Sequence, residues 1–388
     1  MSGDNKPSLM KHKLLLGALI LALLIVLTLV VLIFMPGKYP GSSLLSDIVF
    51  PKKRSITVRE FVFDVGRDRV FAHADMAVAA VGTLGLQVQD PDGNETLRDS
   101  FRITRPALAE SGGYFIAFDI GGSSVRVFNE TEILASIDTE GSIVSASINK
   151  NGWFCIVTQE PGAFRSTITV YNKTGSRVFM VNMGTGFALC AEISPDNKSL
   201  TILNFTEAGS KLTAYDGLDT DKDEPDYEHY LGDEVFLYIK YLSNTKILAV
   251  SAHSVQVAEL SASMTTSPLY EFPEKRLGGF THTNDFIALL LYDYGIGYSG
   301  RIVSFDIGGG ILGELESNLE IFDMAAASNS LVLLRSDGVA FLSKTLEEYP
   351  MSENNILAAT AANVLAITED IALAANDHSA VVVKREED

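Results

Sequence analysis

The chain has 388 residues, 47% hydrophobic and 20% charged, with a formal net charge of −19. That apolar content excludes a disordered chain, and so negative a surface repels phosphate backbones, which excludes general nucleic-acid binding. Cys155 and Cys190 are too few for a disulfide framework, and no Cys/His cluster has zinc spacing.

Residues 1–13 form a basic head carrying Lys6, Lys11 and Lys13. From Leu14 to Met35 the chain is apolar, broken only by Gly17 and Thr28. A run of about 22 residues at ~1.5 Å rise spans the ~30 Å hydrocarbon core of a bilayer. A cleavable signal peptide has an apolar core of only ~7–15 residues and a small-x-small cleavage site; Ile33–Gly37 offers none. Leu14–Met35 is therefore predicted as an uncleaved signal anchor. The lysines before it favour a cytoplasmic N-terminus and a C-terminal domain outside, against the weaker pull of Lys38 and Lys52–Arg54. Residues 36–55, with Pro36, Gly37, Pro40, Gly41, Ser42 and Ser43, read as a tether.

From residue 56 to 388 short β-rich runs alternate with turns and no long helical periodicity appears. A unit recurs: an entry segment, a strongly apolar strand, an alternating strand, then a polar outer strand. The apolar member is clearest at Met76–Val81, Tyr114–Phe118, Trp153–Val157, Ser199–Leu203, Lys246–Val250, Phe286–Leu291, Leu331–Leu334 and Ile371–Ala374. The alternating strands end at Asp90, Asn129, Asn172, Asp216, Glu259, Asp306, Ser343 and Lys384, about 42 residues apart on average. A four-stranded propeller blade takes roughly 40–50 residues. The fold class predicted is all-β: a β-propeller of eight four-stranded blades, preceded by the transmembrane helix. In that packing neighbouring blades cover the apolar strand on both faces and the alternating strand in part, and the polar outer strand faces solvent. Seven blades is the nearest alternative, if the last unit is miscounted, and two stacked β-sandwiches come third. The last unit stops without an outer strand, and an orphan strand, Ile56–Phe63, precedes the first. This N-terminal strand is expected to complete the last blade and close the ring.

Several patterns invite a chemical reading. Gly295-Ile296-Gly297-Tyr298-Ser299-Gly300 satisfies GxGxxG, but Arg301–Phe305 reads as a strand where a dinucleotide site needs a helix. Asp219, Asp221 and Asp223 have the spacing of a calcium loop, but Glu224 occupies the turn-glycine position and Pro225 follows. The acidic stretch Asp216–Glu234 is read as a solvated blade loop. His73 with Asp75, and Asp377 with His378, lie near blade ends and are read as local turn residues. Trp153 is read as core, and Cys155 and Cys190 as buried small hydrophobes. Sequons at Asn94, Asn129, Asn172, Asn197 and Asn204 are placed at turns. No residue is assigned a catalytic, cofactor-binding or metal-binding role, no cofactor is expected, and the chain is not read as an enzyme.

Lys11-His12-Lys13 ahead of Leu14–Met35, with the blade pattern from Ile56 onward, resembles an uncharacterised group of bacterial proteins, mainly from Gram-positive clostridia and relatives. Those carry a basic head, one anchor helix and an extracytoplasmic propeller-like domain of unknown function. The chain lacks the Trp-Asp repeat signature and the tryptophan-docking repeat of quinoproteins, so no ligand or activity of those families carries over. The reading is a membrane-anchored extracytoplasmic propeller that binds or scaffolds a protein or peptide at the cell envelope. The alternative is a small-ligand sensor or enzyme with a polar or metal site in the central channel.

Overall fold

Runs such as Ala77–Gly82 and Phe286–Asp293 are short, rich in β-formers and apolar on both sides, so they pair laterally and need cover above and below. The computed structural model describes residues 59–159, 162, 164–218, 222, 224–260, 264–294, 300–350, 361–376 and 379–385. The expected head, anchor Leu14–Met35 and tether lie outside the described residues. Among the described residues no helix is long and apolar enough to cross a membrane.

The described residues form strands β1–β31, gathered into eight antiparallel sheets. Blade 1 is β2–β5 (Val70–Asp99), blade 2 is β6–β9 (Pro106–Asp138), blade 3 is β10–β13 (Ser142–Met183) and blade 4 is β14–β17 (Phe187–Gly232). Blade 5 is β18–β21 (Phe236–Glu271), blade 6 is β22–β25 (Lys275–Ser317) and blade 7 is β26–β28 (Ile321–Ser343). Blade 8 is β29–β31 (Asn363–Lys384) with β1 (Glu60–Val62) at its outer edge, in the order β1-β31-β30-β29. Blade 7 pairs three strands; a single bridge from Glu348 to Leu342 stands in its fourth position.

The expected closure is present on a shorter strand than Ile56–Phe63: Glu60–Val62 pairs, Phe63 lies past the strand, and residues 56–58 lie outside the described residues. β1 pairs with β31 in the register Glu60↔Val381, Phe61↔Ala380 and Val62↔Ser379, and Val382 N–H donates to Arg59 O at 2.9 Å. Hydrophobic clusters fill the gap between each pair of neighbouring blades, from Phe115, Phe128 and Val88 between blades 1 and 2 to Phe341, Val364 and Val383 between blades 7 and 8. One cluster unites Phe61 and Leu373 of blade 8 with Val78 and Ala80 of blade 1. The ring of eight therefore has no unpaired edge at its junction, which disposes of seven blades and of two sandwiches.

The third strand is more deeply covered than expected. Gly85–Gln89 is buried throughout, polar positions included. Gln87 Oε1 accepts from Asp64 N–H at 3.0 Å, and Gln89 Nε2 donates to Val62 O at 2.7 Å. The polar half of the alternation is thus spent on hydrogen bonds to the adjoining chain rather than on water.

Candidate functional site

The innermost strands are β2 (Val70–Ala74), β6 (Pro106–Ser111), β10 (Ser142–Ile148), β14 (Phe187–Ile193), β18 (Phe236–Tyr241), β22 (Lys275–His282), β26 (Ile321–Ala327) and β29 (Asn363–Ala366). Each sheet is an antiparallel meander, so the starts of these strands share one face of the ring with the hairpins between second and third strands. Their ends share the other face with the hairpins between first and second strands.

At the hairpin ends of the innermost strands, charged and polar residues converge. A cavity of about 400 Å³ opens there, lined by Glu192, Lys240, His282, Asn149, Ser111 and Asn284 among others. Lys240 Nζ donates to Glu192 Oε2 at 3.1 Å, across the boundary of blades 4 and 5. Glu192 is 8% exposed. Burial pushes its carboxyl above the usual range, and the Lys240 ammonium pulls it back down in part. Glu110 of blade 2 is pushed up likewise by burial, against a hydrogen bond from Gly113 N–H and the charge of Lys240. His282 Nε2 shares a hydrogen bond with Tyr238 Oη at 2.8 Å. Burial and the neighbouring Lys240 charge push the His282 imidazole down to about 4, and burial keeps the Tyr238 hydroxyl protonated. This mouth holds a carboxyl hydrogen-bonded to an ammonium, an imidazole that is neutral at pH 7 and a phenol: groups suited to holding a polar ligand. Among the described residues no group of three or more His, Cys, Asp or Glu is placed to hold a metal ion.

The opposite face carries exposed apolar side chains. In five consecutive blades, 3 to 7, the pairing of the innermost strand slips by one residue near its start. The extra residues are Val144, Leu189, Leu237, Gly278 and Phe322. A bulge turns its extra side chain out of the ladder. Leu237 is 66% exposed and Phe322 49%. Phe187, Val235 and Leu319, at strand starts or in the linkers before them, are exposed on the same face. The linker bearing Val235 is pinned: the Glu234 carboxylate accepts from the Ser251 and Ser254 hydroxyls, and Ser210 Oγ donates to Glu234 O at 2.8 Å.

The sequence patterns fare differently. Gly300 opens the strand Gly300–Asp306, so a strand stands where a nucleotide site needs a helix; Gly295–Ser299 lie outside the described residues. Asp219, Asp221, Asp223, Asp377 and His378 also lie outside them. In the rest of the acidic stretch Asp226 accepts from Asp216 N–H at 2.7 Å and from Lys222 Nζ at 3.0 Å. Burial opposes its charge, but these bonds hold it below the usual carboxylate range. His73 contacts the Asp75 backbone carbonyl at 3.3 Å, not its carboxylate, so the two form no acid–base pair. Trp153 packs on the cluster between blades 3 and 4, as expected of a core residue. Both cysteines are free. Cys155 is fully buried, with Sγ 3.3 Å from Ala191 O, and burial pushes both thiols up to about 12. The placement of every sequon at a turn is corrected at Asn204. It lies inside the strand Ser199–Thr206, fully buried, and donates to Thr213 Oγ1 at 2.8 Å.

Sequence reasoning missed the mouth. Its signal was a charge embedded in an apolar entry segment, as in Ala191-Glu192-Ile193 and Ile239-Lys240-Tyr241.

Solved structures share the architecture at low identity. Chaetomium thermophilum Sqt1 bound to the N-terminus of the ribosomal protein L10 is 12% identical, with a TM-score of 0.56, covering 85% of this chain and 100% of that one. The C-terminal WD40 domain of Sif2 is 13% identical, with a TM-score of 0.54, covering 86% and 98%. BamB from Moraxella catarrhalis is 12% identical, with a TM-score of 0.53, covering 84% and 98%. These likenesses concern the fold. No curated protein matches the sequence. A family model described as a family of unknown function, DUF5711, matches residues 75–346, from the first hairpin of blade 1 through blade 7, and the chain belongs to that family.

Proposed function

We propose that this propeller is a protein- or peptide-binding module of the bacterial cell envelope, held at the outer side of the cytoplasmic membrane by Leu14–Met35 with its N-terminus inside. The observation that carries the binding reading is the row of exposed apolar side chains, Leu237 and Phe322 foremost, on one face of the ring. Apolar surface concentrated on one face of an otherwise acidic protein marks an interaction surface. Sqt1, of similar fold, is seen bound to a polypeptide terminus, which agrees with a polypeptide-binding role. The apolar run of Leu14–Met35 and the lysines before it support the anchor and its orientation. Anchoring confines the ring to two dimensions and raises its effective concentration near membrane partners.

Crosslinking in intact cells followed by mass spectrometry tests the reading. A specific protein enriched over a control bearing residues 1–55 alone, and lost with Leu237→Ser/Phe322→Ser, is the expected result. Recovery of the same abundant proteins from both would refute it. External protease that spares the propeller domain in intact cells but digests it after lysis would refute the orientation.

A second reading is favoured by the Glu192, Lys240 and His282 side chains that meet at the hairpin mouth: a small polar ligand held in the channel, for sensing or chemistry. Thermal-shift screening against small polar metabolites, with Lys240→Met as the comparison, separates it from the first.

A further inference from the structure

The apolar face is not uniformly apolar. The linkers that lead into blades 5 and 7 carry carboxylates beside the exposed hydrophobic residues, and the linker into blade 6 carries carboxylates around the buried Phe272. Asp233 precedes Val235 and Leu237, Glu271 and Glu274 flank the entry to blade 6, and Glu316 and Glu320 bracket Leu319 ahead of Phe322. Asp233, Glu271, Glu274 and Glu316 are exposed. Basic residues on the same arc are occupied by their neighbours. Lys275 pairs with Asp293, Arg276 lies 5.0 Å over the Tyr292 ring, and Arg165 lies 5.0 Å over the Phe187 ring. The arc therefore sets exposed apolar side chains and negative charge side by side.

We infer that this arc takes an extended polypeptide segment in which basic and apolar residues alternate; the inference rests on the protein-binding reading above and names the partner's chemistry. An extended strand projects successive side chains to opposite sides. One set then covers Leu237 and Phe322 while the other reaches the carboxylates. The bulges at Leu237 and Phe322 fix these two apolar contacts on rigid strands, so little ordering is needed on the propeller's side. The carboxylates supply long-range attraction and exclude acidic segments. They equally repel an anionic lipid surface, which is why a polypeptide is favoured as the occupant over a membrane.

The test uses the full-length chain in phosphatidylcholine nanodiscs and fluorescence anisotropy with labelled peptides of about a dozen residues. An alternating Lys/Leu peptide binds, and binding weakens as salt rises. Alternating Lys/Ser and Glu/Leu peptides do not bind. Leu237→Ser/Phe322→Ser and, separately, Asp233→Lys/Glu271→Lys each weaken binding about tenfold or more. Glu132→Lys, on the opposite face, serves as the charge control and leaves binding unchanged. These positions are exposed, so the variants keep the wild-type melting temperature, which is measured in parallel. Equal binding of the Lys/Ser peptide, equal binding of the Glu/Leu peptide, or indifference to the Leu237/Phe322 pair would each overturn the inference. If a cellular partner still crosslinks through Leu237 and Phe322 while no basic peptide is preferred, the partner chemistry fails and the binding reading stands. If both signals are missing, both fail.

Discussion

Lys240 of blade 5 holds its ammonium 3.1 Å from the carboxylate of Glu192 in blade 4, so one ion pair both shapes the channel mouth and links two blades. Its two side chains are 27% and 10% exposed, too little for water to replace a lost partner fully. Lys240→Met is expected to destabilise the fold by about 2–4 kcal/mol, because it strands a buried carboxylate. Adding Glu192→Gln to that variant recovers most of the loss. Urea denaturation of the two single variants and the double variant reads this directly.

The imidazole of His282 gives a pH signature. Its folded value of about 4 lies below the free value of 6.5, so the unfolded chain takes up the proton first. The stability this group contributes is complete above 6.5 and is lost as pH falls towards 4, by roughly 3 kcal/mol. The carboxyls of Glu110 and Glu192 act in the opposite sense: they are raised on folding, so their contribution is present at low pH and lost as pH rises through their folded values. His282→Gln is expected to remove the acid-side loss that belongs to the imidazole. Urea midpoints measured across pH 4–8 for wild type and variant would refute this if the two curves ran parallel.

Closure of the ring concentrates on Phe61. It is fully buried and sits in the cluster that unites blades 8 and 1. Phe61→Ala is expected to cost about 3–5 kcal/mol, since the site cannot collapse without parting two blades. Val62→Ala, one residue away but 64% exposed, is expected to cost little. Paired thermal melts of the two variants make the comparison.

Thiol reactivity follows from burial. With both thiols pushed up to about 12, the thiolate fraction at pH 8 is on the order of one in ten thousand. The folded protein is expected to show no fast reaction with a thiol reagent, and both cysteines are expected to react in denaturant. The half-buried Cys190 reacts ahead of the fully buried Cys155.

Much of the ring was legible because the apolar second strands are continuous. Phe286–Leu291 and Leu331–Leu334 admit no solvent face, and a chain of such units must stack. The closing strand was legible from arithmetic: blade 8 ends without an outer strand and residues near Phe61 have no blade of their own. The depth of the third strands was not, since Gln87 and Gln89 look like a solvent face until their hydrogen bonds to Asp64 and Val62 are seen. The two ends of the channel were less legible still. Glu192, Lys240 and His282 lie about 40–50 residues apart, and only a repeat of that length brings them together. Leu237 and Phe322 sit in apolar surroundings that read as core, and only the one-residue slip of each strand turns them outward.

β1 carries one more implication. The chain that precedes Glu60 leads into the strand whose three residues lock blade 8 to the start of the ring. Any tension on that leading segment reaches this three-residue ladder before it reaches the rest of the circle. A load along the strand must shear all three rungs together, whereas a load across it peels them one at a time. The ring's fastener is thus also its fuse, and the direction of pull decides how much force it survives.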